Sequence, residues 1–200
     1  MSVLFCYSWE QRKFGDIAEL SRGLTYSPSN IVEHGTRVLR SSNINEDYFV
    51  KSDDDVFVED GCININYAKD GNILITSANG SSKLVGKHAI LDNISTEKVV
   101  HGGFMLLAKT KYPYFLNASM SSTWYKKFID LYIAGGNGAI GNLSKSDLDS
   151  YTFLVPHNEE QLKIGSLFKS LDQLITLHQR KQVIKEDKKN VKKTTKRVIF

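Results

Sequence analysis

The stretch that decides the fold begins at Phe153, ends at Lys181 and reads FLVPHNEEQLKIGSLFKSLDQLITLHQRK. Its first three residues favour a strand, which Pro156 ends because proline offers no N–H group to a strand ladder. Asn158 is suited to cap a helix that follows, and acidic residues in its first turn suit the helix dipole. The apolar residues then recur three and four positions apart, which predicts one helical stripe. The stripe consists of Ile164, Leu167, Phe168, Leu171, Leu174, Ile175 and His178.

The predicted helix is long for a chain of this size. If it continues to about Lys189, it has roughly 30 residues and a length of roughly 45 Å. Two interpretations are open. The helix packs along its own domain, or it protrudes and its apolar stripe requires a partner. Periodicity alone does not decide between them.

Composition favours an ordinary globular protein of the cytoplasm. Of the 200 residues, 41% are hydrophobic and 24% are charged, as in typical globular domains. Cys6 and Cys62 are far apart in sequence, which favours a reducing compartment over a disulfide scaffold or a zinc site. We expect neither a signal peptide nor a membrane-spanning segment. Residues 157–200 carry 11 Lys and Arg against 5 Asp and Glu, whereas residues 1–156 carry 15 against 17.

The residues before Pro156 predict a mixed, mostly antiparallel α+β domain. Strand-like patterns occupy residues 36–40, 71–77, 85–91 and 99–108, and one long helix is expected over residues 112–133. Glycine-rich and polar loops separate these elements. The sequence therefore predicts two domains, a body over residues 1–156 and a helix with a basic tail over residues 157–200.

Motifs for catalysis are not found. The glycine-rich loop over residues 135–141 lacks the lysine of a phosphate-binding loop. The five histidines have no metal-ligand spacing, so we expect no metal site. A small enzyme that uses the glycine-rich loops stays open as the less favoured interpretation.

The polar loops instead carry side chains that suit DNA. Arginine can donate two hydrogen bonds to guanine, asparagine can pair with adenine, and Ser, Thr and Lys can hold phosphates. The candidate DNA-binding residues are Arg22, Thr25, Tyr26, Arg37, Arg40, Ser41, Asn43, Ser77, Asn79, Ser81, Lys83, Asn137 and Asn142.

Several motifs, in order along nearly the whole chain, resemble the specificity subunit of type I restriction-modification enzymes. The resemblance lies in Trp9-Glu-Gln-Arg-Lys-Phe-Gly-Asp-Ile, Arg22-Gly-Leu-Thr, Val38-Leu-Arg, Asn43-Ile, Gly71-Asn-Ile-Leu-Ile, Gly141-Asn-Leu-Ser-Lys-Ser-Asp-Leu, Glu160-Gln-Leu-Lys-Ile after Pro156, and Leu171-Asp-Gln-Leu-Ile-Thr-Leu-His-Gln-Arg-Lys. The junction of strand, proline and Glu-Gln helix is the most specific of these.

The resemblance implies a domain that recognises a DNA target, followed by a spacer helix. The family subunit is usually a tandem of two such units, whose helices run antiparallel and whose domains read the two halves of an interrupted site. It has no catalytic role. Its helices dock the methyltransferase subunits, which bind S-adenosylmethionine, and a separate restriction subunit cleaves the DNA.

The sequence departs from that pattern because it contains one unit, so we expect a half-subunit that forms a homodimer through an antiparallel coiled coil. Its basic end, from Lys188 onward, also differs from the usual continuation of the helix. An inactive remnant or a decoy that binds the methyltransferase is the alternative that the sequence leaves open.

Overall fold

The computed structural model describes residues 9–132 and 142–198. Within these ranges it has twelve strands and five α-helices. The strands are β1 Glu10–Lys13, β2 Ala18–Arg22, β3 Ile31–Val32, β4 Thr36–Leu39, β5 Ile44–Asn45, β6 Tyr48–Phe49, β7 Val56–Val58, β8 Ile73–Thr76, β9 His88–Ile90, β10 Val99–His101, β11 Met105–Thr110 and β12 Thr152–Val155. The helices are α1 Phe14–Ile17, α2 Pro113–Met120, α3 Thr123–Tyr132, α4 Lys145–Ser150 and α5 Asn158–Val198.

Two four-stranded sheets form the body of the domain. One has the strand order β2-β11-β8-β9 and is antiparallel throughout. The other has the order β10-β4-β7-β3, and its β10–β4 pair is parallel. The pairs β1–β12 and β5–β6 form two small antiparallel ladders. The prediction of a mixed, mostly antiparallel α+β domain is therefore confirmed.

The main core lies between the β2-β11-β8-β9 sheet and helices α2 to α4. Ile73, Ile75 and Ala108 are fully buried on the sheet, and Leu116 is fully buried on α2. Trp124 of α3 stacks on Phe153 of β12 with a centroid distance of 4.3 Å. This stacking joins the last strand to the helical layer, and so fixes the point from which α5 departs.

The apolar run over residues 99–108 is not one strand, as the sequence suggested. It divides into β10 and β11, which belong to different sheets. A turn separates them, in which the Met105 N–H donates to the Gly102 carbonyl at 2.8 Å. Hydrophobicity continues through the turn because β10 and the start of β11 both line buried clusters.

The single helix predicted over residues 112–133 is also wrong, because α2 ends at Met120 and α3 begins at Thr123. Ser121 and Ser122 make the break, and their N–H groups donate three residues back, to the Ala118 and Ser119 carbonyls at 3.2 and 3.0 Å. Serine is unfavourable in the interior of a helix because its hydroxyl group can hydrogen-bond to the nearby backbone instead. This explains the position of the break.

Helix α5 has 41 residues, a length of roughly 60 Å at 1.5 Å per residue. It begins at Asn158, and the His157 carbonyl accepts the Gln161 N–H at 3.0 Å, so the cap position lies one residue earlier than predicted. Its first turns lie against α2. A Cβ atom at Gly165 would come within 2.9 Å of the Phe115 backbone nitrogen, and the Lys169 ammonium lies 4.6 Å from the centre of the Tyr114 ring.

Candidate nucleic-acid interface

One end of the β2-β11-β8-β9 sheet brings three polar segments together. In the antiparallel register, Leu106 of β11 pairs with Arg22 at the end of β2, and Met105 pairs with Thr76 at the end of β8. The segment after β2, the segment after β8 and the turn before β11 therefore leave the sheet side by side. We call this end of the sheet, with its loops, the recognition edge.

Backbone hydrogen bonds hold these segments in place. The Phe104 carbonyl accepts the Ser77 N–H at 2.9 Å and the Ala78 N–H at 3.1 Å. The Ser77 carbonyl in turn accepts the Leu143 N–H at 2.7 Å. These bonds bring exposed Asn142 to the recognition edge, although it is 65 residues away from Ser77 in sequence.

The segment after β2 approaches the turn between β10 and β11 very closely. The Leu24 N–H donates to the His101 carbonyl at 2.7 Å. A Cβ atom at Gly23 would lie only 1.9 Å from the Gly102 carbonyl oxygen, so this position requires glycine. The approach places Thr25 beside Gly103, while Tyr26 packs partly buried on the small cluster around Leu24.

Asn79 links the recognition edge to the loop that follows β4. Its side-chain N–H donates to the Ser41 hydroxyl oxygen at 2.8 Å, and its side-chain oxygen accepts the Ser81 N–H at 2.9 Å. Both ends of the amide are thus engaged inside the protein. Asn79 therefore positions the loop, on which Ser81 and Lys83 are exposed.

Arg22 and Lys83 are the two predicted cations with exposed, unengaged side chains at the recognition edge. Neither side chain has a hydrogen bond or an ion pair to another described residue. Arg40 is different, since one of its terminal N–H groups donates to the Asp54 carbonyl at 2.9 Å, while its Nε is buried without a partner among the described residues.

Arg37 and Asn43 belong to a network inside the domain. The Arg37 guanidinium pairs with Asp55 and with Glu97, the latter at 2.9 Å, and lies 4.7 Å from the centre of the Phe57 ring. Asn43 is fully buried and donates to Asp55 at 2.6 Å. The Asp55 side chain has no exposed surface. The polar groups of Arg37 and Asn43 suit DNA by their chemistry, but in the structure they bind Asp55, and Arg37 also binds Glu97.

His101 is a buried polar residue behind the recognition edge that sequence reasoning did not select. Its Nε2–H donates to the Ser21 carbonyl at 3.3 Å, and its Nδ1 is buried without a partner among the described residues. Burial lowers the pKa of His101 to about 4, so the ring is neutral near pH 7. A histidine within an apolar run gives no sequence signal for this role.

The thirteen sequence-predicted DNA residues thus fall into three sets. Those that the structure brings to the recognition edge or its tethered loops are Arg22, Thr25, Tyr26, Ser41, Ser77, Asn79, Ser81, Lys83 and Asn142. Arg37, Arg40 and Asn43 lie in or beside the ionic network around Asp55. Asn137, with the glycine-rich loop, lies outside the described residues.

The stripe on α5 is largely exposed. Ile164 is partly buried against the main core, whereas the other members face solvent. The exposed fractions are Leu167 58%, Phe168 43%, Leu171 42%, Leu174 63% and Ile175 46%, and His178 is also exposed.

The face of α5 that meets the body lies beside the stripe and shares Ile164 with it. Gln161 and Gly165 are buried on it, and Asp172 lies near the β5–β6 hairpin, where burial and then the Asp172 charge raise the pKa of Tyr48. At 3.6 residues per turn, Leu167 and Leu174 lie roughly opposite this face and Leu171 lies at its flank. The stripe therefore packs on the body at Ile164, whereas Leu167, Leu171 and Leu174 face solvent. That this exposed part requires a partner stays a prediction.

Other kinds of site have little support among the described residues. Two clefts, of about 490 and 670 Å³, lie at the opposite end of the β2–β11 ladder, near Ile17 and Lys111.

No group of three or more His, Cys, Asp and Glu in residues 9–132 and 142–198 is arranged to hold a metal ion. Within those ranges, no helix has an apolar stretch of the length that a bilayer requires.

The sequence was compared with family models and with curated proteins. The family model described as "Type I restriction modification DNA specificity domain" matches residues 7–186. No curated protein sequence matches at a significant level.

Solved structures show the same fold. A chain from a structural study of complex assembly and conformational transition of the type I R-M system aligns with a TM-score of 0.62 at 14% identity, over 90% of this chain and 42% of that one. The HsdS subunit from Thermoanaerobacter tengcongensis aligns with a TM-score of 0.57 at 12% identity, over 88% of this chain and 40% of the subunit. This chain thus spans about two fifths of the length of those proteins. Since the family model covers most of the sequence, the chain belongs to the type I restriction-modification DNA specificity domain family.

Proposed function

We propose that this chain is a non-catalytic, sequence-specific DNA-binding subunit that reads one half of a bipartite site for a type I restriction-modification complex. The observation that carries the proposal is the recognition edge, where side chains suited to bases and phosphates come from segments far apart in sequence. Residues 1–156 form the recognition domain, and residues 157–200 form the spacer. The free thiol of Cys62 suits the reducing cytoplasm, where we place the complex.

The recognition edge offers both kinds of group that DNA binding requires. Arg22 and Lys83 supply unengaged positive charge, which attracts phosphates. Hydroxyl and amide groups of Thr25, Ser81 and Asn142 are exposed beside them and can donate to bases or phosphates. The backbone bonds that hold these loops reduce the conformational entropy that binding would otherwise cost.

The spacer helix supports the second part of the proposal, assembly. The stripe on α5 has five apolar side chains that are more than 40% exposed. Burial of a fully exposed side chain of this kind is worth about 1.5–3 kcal/mol, and these side chains, which are about half exposed, would gain roughly half of that each. In our proposal, a second copy packs antiparallel on the stripe, and the paired helices dock the methyltransferase subunits, which bind S-adenosylmethionine. The restriction subunit joins through the methyltransferase subunits.

A homodimer of this kind would impose its symmetry on the DNA. Two-fold symmetry makes the two copies read the same half-site in inverted orientation. A helix of roughly 60 Å separates the two recognition domains by more than one turn of DNA, which is about 34 Å. We therefore propose that the target is palindromic and interrupted by an unread gap.

Alanine variants at the recognition edge test the DNA-binding part. We expect Arg22→Ala to relax the recognised sequence and to cost about 1–3 kcal/mol at the preferred site, because its guanidinium is free to contact a base. We expect Lys83→Ala to weaken binding to all sequences alike, as loss of a phosphate contact does. The slope of log affinity against log salt concentration should fall in magnitude by about one. The measurement is DNA binding by the complex with its methyltransferase subunits over a range of salt concentrations.

Lys109→Ala is the matched control, since Lys109 lies toward the other end of β11 with its side chain 74% exposed. It should bind DNA as the unaltered chain does. Unchanged affinity and unchanged sequence preference in both Arg22→Ala and Lys83→Ala would contradict the assignment of this edge to DNA.

A further inference from the structure

Phe104 is an apolar side chain in an unexpected position. Its ring is 74% exposed, a larger fraction than that of any other exposed large hydrophobic residue among the described residues. It lies in the middle of the recognition edge, in the turn between β10 and β11. The neighbouring Met105 is 1% exposed, so the turn leaves Phe104 outside and the chain enters the core at the next residue, where β11 begins.

The backbone that carries Phe104 is held from three sides. The Met105 N–H closes the turn onto the Gly102 carbonyl at 2.8 Å. The Phe104 carbonyl accepts two N–H groups from the loop after β8, at 2.9 and 3.1 Å. Gly23 packs directly against Gly102, where a Cβ atom would lie 1.9 Å from the Gly102 carbonyl oxygen. These backbone contacts hold the segment that carries the exposed ring. A contact residue on a well-held backbone keeps a constant position relative to its ligand.

The surroundings of Phe104 indicate what it contacts. Arg22 and Thr25 lie on one side of the turn, and Ser77 with the Asn79 loop lies on the other. An exposed apolar ring in a turn flanked by one unengaged cation, Arg22, and by hydroxyl-bearing residues suits DNA, whose bases present apolar surface within a frame of phosphates. Phenylalanine contacts the thymine methyl group in the major groove, or inserts as a wedge between stacked bases.

Phe104 lies away from the place where the first turns of α5 pack on the body. α5 packs on α2, which follows the end of β11, whereas Phe104 precedes the start of β11. The six residues of β11 separate these two ends by roughly 20 Å. The contact between the first turns of α5 and α2 therefore does not reach Phe104.

We propose that Phe104 is a specificity-determining residue that makes an apolar contact with the DNA bases of the half-site. The inference rests on the proposed function, and adds to it the residue that selects the base at one or two adjacent positions. The polar residues around the ring then hold the DNA in register, and the ring discriminates by apolar fit.

The test uses the full chain assembled with its methyltransferase subunits, and compares Phe104→Ala, Phe104→Leu and Leu154→Ala. Leu154 is the control, because it is also an exposed apolar residue, at 52%, but lies on β12. The readout is the set of DNA sequences that become methylated. We expect Phe104→Ala to lose roughly 5- to 100-fold discrimination at one or two adjacent positions, Phe104→Leu to retain most of it, and Leu154→Ala to leave the sequence unchanged.

Two modified DNAs identify the kind of contact. If the ring contacts a thymine methyl group, replacing that thymine with deoxyuridine weakens binding by the unaltered complex and has no further effect on the Phe104→Ala complex. If the ring is a wedge, 2-aminopurine at the contacted step becomes brighter with the unaltered complex and stays quenched with Phe104→Ala. Either result supports the proposal.

An unchanged methylated sequence in Phe104→Ala would overturn the proposal, provided that the unaltered chain still directs methylation to a defined sequence. Loss of the methyltransferase subunits from Phe104→Ala during purification would overturn it too, because the ring would then contact protein. If the unaltered chain itself directs no defined sequence, the proposed function fails, and this inference fails with it.

Discussion

Replacing Leu171 and Leu174 together with lysine is expected to give a folded monomer that no longer directs methylation to a bipartite site. Both leucines lie on the exposed stripe of α5, at 42% and 63% exposure, and neither lies on the side of Gly165 and α2, so lysine is tolerated in the isolated chain. In an antiparallel pair, two copies lose four buried leucines. Because each leucine is about half exposed, its burial contributes roughly half of the 1.5–3 kcal/mol of a fully exposed one. The four together contribute about 3–6 kcal/mol, so their loss weakens association roughly a hundredfold to ten-thousandfold.

Sedimentation measures this effect directly, over a range of concentrations and with and without the methyltransferase subunits. Ser166→Lys with Gln173→Lys is the matched control, since it adds the same charge at two exposed positions outside the stripe. The control should assemble as the unaltered chain does. A Leu171→Lys, Leu174→Lys variant that still dimerises, or an unaltered chain that stays monomeric throughout, would contradict the account of α5.

Arg37→Ala is expected to destabilise the domain by about 3–5 kcal/mol, because it leaves a buried carboxylate without its counter-ion. The Asp55 side chain has no exposed surface, and only 14% of the Arg37 side chain is exposed. After the substitution, Asp55 retains hydrogen bonds from Asn43 at 2.6 Å and from the Ser52 N–H at 3.1 Å, but no positive charge beside them. A loss of this size is a large part of the 5–15 kcal/mol that typically holds a domain folded.

Urea unfolding measures the change, and two variants calibrate it. Glu97→Ala removes the more exposed acidic partner of Arg37, with 31% of its side chain exposed, so we expect a smaller loss of about 1 kcal/mol. Lys109→Ala breaks a surface pair with Glu19 in which both side chains are about three-quarters exposed, and should cost at most about 0.5 kcal/mol. An Arg37→Ala loss no larger than that of Lys109→Ala would show that the network contributes little.

The ionic network also explains why chemistry alone selects too many DNA-binding residues. Arginine and asparagine suit base edges, but they equally suit a buried carboxylate. The sequence places Arg37 18 residues before Asp55 and contains no local signal that the two meet. Arg37 and Asp55 come together only because β4 pairs with β7. The Asn43 side chain, from the loop after β4, also reaches Asp55.

The elements themselves follow well from local patterns where a pattern is unambiguous. Pro156, the acidic first turn and the apolar period predict the start of α5 to within one residue. The run over residues 99–108 is harder, because apolar side chains continue through a turn whose only local sign is Gly102-Gly103. Phe104 illustrates the consequence: within an apolar run its sequence position indicates a core residue, and only the turn between β10 and β11 places it outside.

The most direct test of the central claim is a map of methylated DNA from cells that contain the methyltransferase subunits, with and without this chain. We expect a defined sequence to be methylated only when the chain is present, and we expect that sequence to be a palindrome of two half-sites with an unread gap. Removing one helical turn from α5 should change the gap and leave the half-sites as they are. An identical map with and without the chain would contradict the account. That result is the one expected of an inert remnant or a decoy.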